Sequence, residues 1–338
     1  MEKQSALRIG LVGCGGHGRN LAQAIARSKS LRLVACADPD ETAASRAAAL
    51  ATEVSTHTSV EALLADREVD AIIVATPHHL LAPVALAALR AGKHVMAEKP
   101  IALNEREAAE IEQVATQAGV CFMAGYSFRF LMARYVRELV DAGVAGEIRS
   151  VSGAIGYGPM NNGWNAYPET GGGPLLFLGS HLVDLVLWFL PDEAQEVFAH
   201  LTYRADTGAD DTSAFQIRFA NGAVAQCLVT QAASDLFYEL TLHGSAGTIS
   251  LRGRSFLHFE ISVISTEVAA YREPTVIRPL IWGDHISAML VPELEEFAQS
   301  IREQRAPTIS AADGRRVLRI LDAVIKSGQS HQPVILNN

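Results

Sequence analysis

Three short clusters in the chain carry residue types that nucleotide and proton chemistry use. Gly13-Cys14-Gly15-Gly16-His17-Gly18 fits G-x-G-x-x-G, directly after an apolar run and before the helical run Asn20–Ala26. The first glycine permits a tight turn, the second lets backbone approach a pyrophosphate, and the third lets helix pack on strand. A helix that starts there adds N–H donors and a favourable dipole for an anion. Asp38 follows Gly18 by twenty residues, at the end of the second apolar run. A carboxylate there can accept hydrogen bonds from an adenosine ribose. Read alone, Asp38-Pro39-Asp40 equally suits a turn and helix cap.

The second cluster is Ala97-Glu98-Lys99-Pro100, which closes the run His94-Val95-Met96-Ala97. It puts a lysine at the carboxyl end of a predicted buried strand, where open α/β sheets bind ligands. A hydride transfer needs a proton-handling group at such a place. Pro100 restricts Lys99 to extended backbone and so sets where its side chain leaves the strand. Glu98 either contacts a cofactor or orders the loop; an arbitrary Glu-Lys-Pro would be a solvated strand end. The third cluster is His181 and Asp184, three apart on a predicted helix and therefore on one face. A buried histidine satisfied by backbone or by Asp184 is the plainer reading of that pair. His78 and His79 adjoin, but no carboxylate or cysteine is spaced to complete a metal site, and no metal is expected.

The elements that must position these residues are legible in the patterning. Through the first 125 residues, short apolar strands alternate with amphipathic helices, the signature of a parallel sheet covered on both faces. Strands are predicted at Leu7–Val12, Leu31–Ala37, Ala71–Ala75, His94–Ala97 and Val120–Ala124, with a weaker one at Glu53–Thr56. Six strands suit a doubly wound Rossmann fold. Thr58 with Glu61, and Asn104 with Glu107, are spaced as capping boxes. Gly92 and Gly119 follow helical runs where a left-handed residue is favoured.

Beyond Gly125 the rhythm changes. Phe215–Phe219 and Val224–Val229 alternate about Asn221-Gly222, a strong hairpin signal, and Tyr238–Leu242 and Thr248–Leu251 flank Gly244–Gly247. This half is predicted to be an α+β domain with a large, mainly antiparallel sheet, closed by helices near Pro292–Gln304 and Ala312–Lys326. The predicted class is α/β, with a dinucleotide-binding domain over 1–125 and a substrate-binding and oligomerisation domain over 126–338. Leu175–Leu190 is apolar but short and contains His181 and Asp184, so it reads as a buried helix rather than a span.

Composition narrows the functional classes. The chain has 338 residues, 49% of them hydrophobic, enough for two cored domains at about 150 residues each. A formal charge of −9 argues against nucleic-acid phosphate as a partner. The four cysteines form no C-x-x-C pair, which fits a reducing cytoplasm. The polar start Met1–Arg8 has no signal-peptide core, and no membrane partner is expected.

With Lys99 added to the glycine motif, the chain resembles the Gfo/Idh/MocA family of nicotinamide-dependent oxidoreductases, named for glucose-fructose oxidoreductase and inositol dehydrogenase. The resemblance covers nearly the whole chain. It rests on the glycine motif, Thr76-Pro77, the run Ala91–Val95 into Glu98-Lys99-Pro100, and Gly171-Gly172-Gly173-Pro174 through Gly179–Asp184. The resemblance implies hydride transfer between a nicotinamide and a hydroxyl or carbonyl of a sugar, cyclitol or sugar acid. It implies that Lys99 holds or moves the hydroxyl proton and that His181 acts beside the substrate as general base or acid. Cofactor contacts would come from Gly13, Gly15, Gly16, His17, Gly18, Asp38, Thr76, Pro77, His78, Glu98 and Lys99. Substrate contacts would come from Arg129, Trp164, Phe177, His181 and Asp184, with the loop Tyr157–Tyr167 and Arg204 as further places. The expected cofactor is NAD, because Asp38 repels the extra phosphate of NADP; Arg46 or a loop rearrangement leaves NADP open. The family also implies a homodimer or homotetramer.

Two departures from the family pattern bear on the chemistry. Family members commonly carry aspartate four residues before the histidine, where this chain has Phe177. A proton relay through that carboxylate is not available, and Phe177 supplies an apolar wall instead. After Thr76-Pro77 the family often has Asn, where this chain has His78. Two alternatives therefore stand beside the dehydrogenase reading: NAD-assisted glycoside cleavage, and a catalytically silent NAD-binding sensor or partner protein.

Overall fold

The computed structural model describes residues 5–159, 163–279 and 286–336. The chain separates into two compact units, one of Met1–Phe130 with Gly283–Arg316 and one of Leu131–Trp282 with Val317–Asn338.

The first unit is a parallel sheet of β1 (Leu7–Val12), β2 (Leu31–Ala37), β3 (Ser55–His57), β4 (Ala71–Val74), β5 (His94–Glu98) and β6 (Phe122–Gly125), in the order β3-β2-β1-β4-β5-β6. Every adjacent pair is parallel, which is the doubly wound arrangement expected. Strands β4 and β5 are almost wholly buried, as continuous apolar runs in a sheet covered on both faces must be. The connecting helices are α1 (Gly16–Arg27), α2 (Glu41–Ala48), α3 (Val60–Leu64), α4 (His78–Arg90) and α5 (Glu105–Ala118).

Their ends follow the local signals, with one shift. Asn104 accepts from Glu107 N, while Glu107 reaches back to Leu103 N, closing the box at α5. Gly119 ends α5 in the left-handed region at φ 64°. At α3 the cap is Ser59, whose hydroxyl accepts from Ala62 N, and not the expected Thr58. The two hydroxyl residues are adjacent, and either could cap in isolation.

Helix α8 (Ile286–Glu303) packs with this unit. Leu290, Leu294, Phe297 and Ala298 join the core formed by Ile9, Leu11, Leu21 and Ile25. Glu295 accepts from Ser28 Oγ at 2.6 Å and Lys29 N at 3.0 Å. A division at 125/126 follows the chain as it runs, whereas packing groups the described residues 286–316 with the first unit. Pro292, expected near the start of this helix, lies inside it.

The second unit is built on a nine-stranded sheet. Its strands are β7 (Ile148–Gly156), β8 (Ala194–Tyr203), β9 (Asp210–Phe219), β10 (Val224–Thr230), β11 (Phe237–Gly244), β12 (Gly247–Gly253), β13 (Phe259–Ser265), β14 (Thr275–Ile277) and β15 (Val334–Ile335). They run in the order β14-β13-β12-β11-β7-β10-β9-β8-β15. All pairs are antiparallel except β7 with β10. Burial alternates along β9 and β10, so one face is cored and the other open.

The cored face receives α7 (Ser180–Phe189), which follows a π-helical turn at Leu175–Gly179. A Cβ at Gly153 on β7 would lie 2.5 Å from Leu182 Cδ1, so glycine there lets the helix sit close on the sheet. Helix α6 (Ala133–Asp141) belongs to this unit, and α9 (Ala311–Ser330) contributes its later turns. Ser310 and Asp313 cap α9 as expected. No helix among the described residues is long and apolar enough to cross a membrane.

Candidate active site

The first unit gathers most of the expected cofactor residues at the carboxyl ends of β2, β1, β4 and β5, neighbours across the point where strand order reverses. Gly13 turns the chain out of β1 at φ 88°. A Cβ there would lie 2.5 Å from Ala75 O and 2.9 Å from Thr76 N. Only glycine allows the β1 and β4 turns to meet this closely. Gly18 sits against Gly13 O with no room for a Cβ, which presses α1 onto the strand end.

Asp38, just past β2, ties the turn from the other side. Its Oδ2 accepts from Cys14 N at 2.7 Å and its Oδ1 from Asp40 N at 2.9 Å. Asp40 in turn caps α2 by accepting from Thr42 N. The turn-and-cap reading of Asp38-Pro39-Asp40 is therefore realised, with Asp38 bracing the turn and Asp40 capping the helix. Each Asp38 oxygen retains a lone pair for a further donor.

His17, in the first turn of α1, reaches across to β5. Its Nε2 lies 2.8 Å from Glu98 Oε1, with the imidazole 44% exposed and the Glu98 side chain 10%. The Glu98 charge raises the imidazole above its ordinary value, outweighing burial and the nearby Lys99. Burial opposes the Glu98 charge, but His17 and Lys99 more than offset it and hold the carboxyl below its usual range. Glu98 Oε2 also accepts from Lys99 N at 3.3 Å. Glu98 thus orders the strand end, one of the two roles open to it from sequence.

Lys99 follows β5 and is partly buried. Burial pushes its ammonium down to about 8, against the opposing pull of Glu98. An amine with that affinity for protons exists in both forms near neutrality, as a group that gives and takes a proton must. Thr76 and Pro77 form the turn into α4, with Pro77 at the cap and His78, 3% exposed, as its first residue. Arg129 ends a short 3₁₀ turn at Ser127–Arg129 and is buried.

Space and donors show that these residues suit a dinucleotide. A Cβ at Gly15 or Gly16 would meet nothing within 4 Å, so the surface over them is open. Gly15 supplies no side-chain cap to α1, and the first turn holds no acidic residue. The helix N–H groups are left for an anion. Thr76 Oγ1 is buried with no hydrogen-bond partner among the described residues. Such a hydroxyl costs about 1–3 kcal/mol until a partner arrives. Among the described residues, no group of three or more His, Cys, Asp and Glu is placed to hold a metal ion.

The second unit holds the other expected residues. His181 and Asp184 lie in α7 and are buried, at 7% and 0% exposure. Phe177 lies on the π-helical turn and meets Trp164 edge-on, with ring centroids 6.2 Å apart and planes at 68°. Such a pair is a stable apolar wall. Of the loop Tyr157–Tyr167, Met160, Asn161 and Asn162 lie outside the described residues. Arg204 pairs with Asp206 at 2.6 Å.

One buried carboxylate here was not singled out from sequence. Asp210, the first residue of β9, accepts from Leu175 N at 2.9 Å and from Ser213 Oγ at 3.0 Å. Gly173, at φ 70°, has no room for a Cβ against Asp210 Oδ1. Asp210 therefore anchors the glycine run and the first N–H of the π-helical turn that carries Phe177. Burial pushes its carboxyl up to about 7. The folded state then binds the proton more tightly than the unfolded chain, so this group's contribution to stability is lost as pH rises from about 4 to about 7. Asp210→Asn keeps an acceptor but cannot ionise. It is expected to melt above the wild type at pH 8, with the gap closing at pH 4; an equal gap at both would contradict this. Aspartate beside a strand start is common, so only the distant glycine run could have marked it.

Comparison with known proteins agrees with the geometry. Residues 7–126 match the family model described as oxidoreductase family, NAD-binding Rossmann fold, and residues 133–250 match the GFO/IDH/MocA C-terminal domain. An uncharacterized oxidoreductase of Synechocystis sp. is 30% identical over 306 residues, spanning 82% of this chain and 81% of its own. The 1,5-anhydro-D-fructose reductase of Ensifer adhaerens is 35% identical over 228 residues, 64% of this chain and 67% of its own. Among solved structures, levoglucosan dehydrogenase in complex with NADH superposes with a TM-score of 0.89 at 22% identity, over 98% of this chain and 100% of that one. Glycine turn, Asp38, Lys99 and both matched domains converge, and the chain belongs to the Gfo/Idh/MocA family of NAD-binding oxidoreductases.

Proposed function

We propose that the protein is an NAD-dependent dehydrogenase or reductase acting on a hydroxyl/carbonyl pair of a sugar, cyclitol or sugar acid. The observation that carries this reading is Lys99, held at the end of β5 beside the glycine turn with its ammonium lowered to about 8. The first unit binds the cofactor; the second binds substrate and a further copy of the chain. The relative named as a reductase of 1,5-anhydro-D-fructose, and the structural neighbour named as levoglucosan dehydrogenase, support a sugar as substrate.

NAD, when bound on this loop, would supply the hydride acceptor in oxidation and, reduced, the donor in the reverse direction. The glycine backbone and the N-terminus of α1 would receive the pyrophosphate, and Thr76 Oγ1, unpartnered among the described residues, would gain a partner. Asp38 takes the ribose hydroxyls with its remaining lone pairs and disfavours NADP by charge. Lys99 in its amine form accepts or holds the hydroxyl proton during oxidation, and as ammonium returns it during reduction. His181 is the second proton-handling group. Phe177 and Trp164 stack on the C–H face of a ring, and Asp184 orients polar groups around its helix. Without an aspartate at 177, the proton work falls on Lys99 and His181 alone.

The test is a panel of polyols, anhydrosugars and sugar acids with NAD and NADP, read by nicotinamide absorbance. Reduction of NAD by at least one member, faster than of NADP, is expected; NADH-induced thermal stabilisation with no turnover across the panel would favour the silent sensor. The open face of the nine-stranded sheet presents Val224 and Leu228, at 42% and 38% exposure. It is assigned to self-association, and light scattering should read a dimer or tetramer rather than a monomer.

A further inference from the structure

An ionisable contact joins the glycine turn to the lysine strand. His17 belongs to the first turn of α1, the part of the loop that would face a bound pyrophosphate, and its side chain is partly open to solvent. Glu98 ends β5 and is nearly buried. One carboxylate oxygen meets His17 Nε2 at 2.8 Å and the other accepts the Lys99 N–H at 3.3 Å. A Cβ at Gly125 would lie 3.4 Å from Glu98 Cδ, so β6 backs the carboxylate and limits its retreat. The chain of contact runs from helix N-terminus to imidazole, to carboxylate, to the Lys99 backbone.

We propose that His17 is a positioning residue that couples cofactor binding to Lys99: NADH binding draws a proton from solvent onto His17, and the resulting imidazolium clamps Glu98 and with it the start of the lysine segment. This rests on the reading of the site as a dinucleotide site. The charged groups acting on His17 are Glu98, which favours the imidazolium, and Lys99, which opposes it. No acidic residue lies in the first turn of α1. A bound pyrophosphate would add negative charge near the first turn of α1, so the bound state would hold the His17 proton more tightly than the free one. Linkage then fixes the sign: NADH affinity is highest where His17 is already charged, and falls as pH rises through the free and then the bound value. A difference of about one pKa unit between the two states would give a tenfold fall in affinity and a peak uptake of about half a proton.

The test is titration calorimetry with NADH at a series of pH values rising from the ordinary histidine value of about 6.5, in buffers of different ionisation heat. NADH is the probe because its nicotinamide is uncharged and leaves Lys99 largely undisturbed. Wild type should show net proton uptake in the slope of heat against buffer ionisation heat. His17→Gln, which can still donate to Glu98 but does not titrate, should bind NADH without uptake and with an affinity flat across this range. A zero slope in the wild type, or a slope that survives in His17→Gln, overturns the coupling while leaving the oxidoreductase reading intact. Failure of NADH to bind the wild type at any pH overturns both.

Discussion

Protein carrying Lys99→Ala is expected to bind NADH with wild-type affinity and to lose turnover by about a hundredfold or more. The side chain leaves the end of β5, whose backbone is held by β4, β6 and the Glu98 carboxylate. Removing the side chain therefore leaves the cofactor loop intact and takes away only the amine proposed to exchange a proton with the substrate oxygen. The pH profile provides a second reading. With the ammonium lowered to about 8 by burial, the amine form gains population as pH rises through that value, so oxidation should climb through pH 8 and reduction should fall. Lys99→Arg should restore the charge but not the activity, because guanidinium does not release its proton in this range. Stopped-flow hydride transfer and NADH titration separate the effects; equal losses in affinity and rate would assign Lys99 a structural role instead.

The second large effect is expected at Gly13→Ala. The residue sits at φ 88°, and the added methyl would lie 2.5 Å from Ala75 O and 2.7 Å from its carbon. Both atoms are backbone and cannot rotate away. Left-handed strain costs about 1–2 kcal/mol, and forcing a methyl into packed structure costs about 1–3 kcal/mol more. The strain falls where β1 and β4 turn toward each other, so relieving it moves the N-terminus of α1 away from its anion-binding position. NADH affinity should fall with stability, as calorimetry and urea titration can measure. Gly16→Ala is the control: its Cβ would meet nothing within 4 Å, so it should fold normally and lose only cofactor affinity through crowding of the open surface.

How much of this was legible from sequence depends on the range of the forces involved. The parallel sheet, the glycine turn and the Asn104 cap rest on neighbours in sequence, and they lie where the patterning places them. The allegiance of α8 was not legible. Its apolar stripe fits any core, and only Leu294 and Phe297 seated among Leu21 and Ile25 decide which. The parallel pairing of β7 with β10 was hidden because strands alternate with the same period in either direction. The π-helical turn at Leu175–Gly179 has no period of its own in so short a run. It depends in part on Asp210, thirty-five residues away, which accepts the Leu175 N–H.

The site was legible in type more than in wiring. Sequence placed His17, Asp38, Glu98 and Lys99 near a cofactor, but not the bonds among them. That Asp38 holds Cys14 N, and that His17 holds Glu98, follows from where β2, β1 and β5 end relative to one another. The Phe177 departure gained a partner in Trp164, which gives the apolar wall a second side.

Whether a hydride leaves a sugar carbon for nicotinamide is read with deuterium. A panel substrate labelled at its carbinol carbon is incubated with NAD and the wild-type protein, and both products are analysed by mass spectrometry. One deuterium is expected in the reduced nicotinamide for each carbonyl formed, with a slower rate than for unlabelled substrate where hydride transfer limits turnover. Deuterium returned to a cleaved sugar with no net reduced nicotinamide, or no transfer at all, would contradict it.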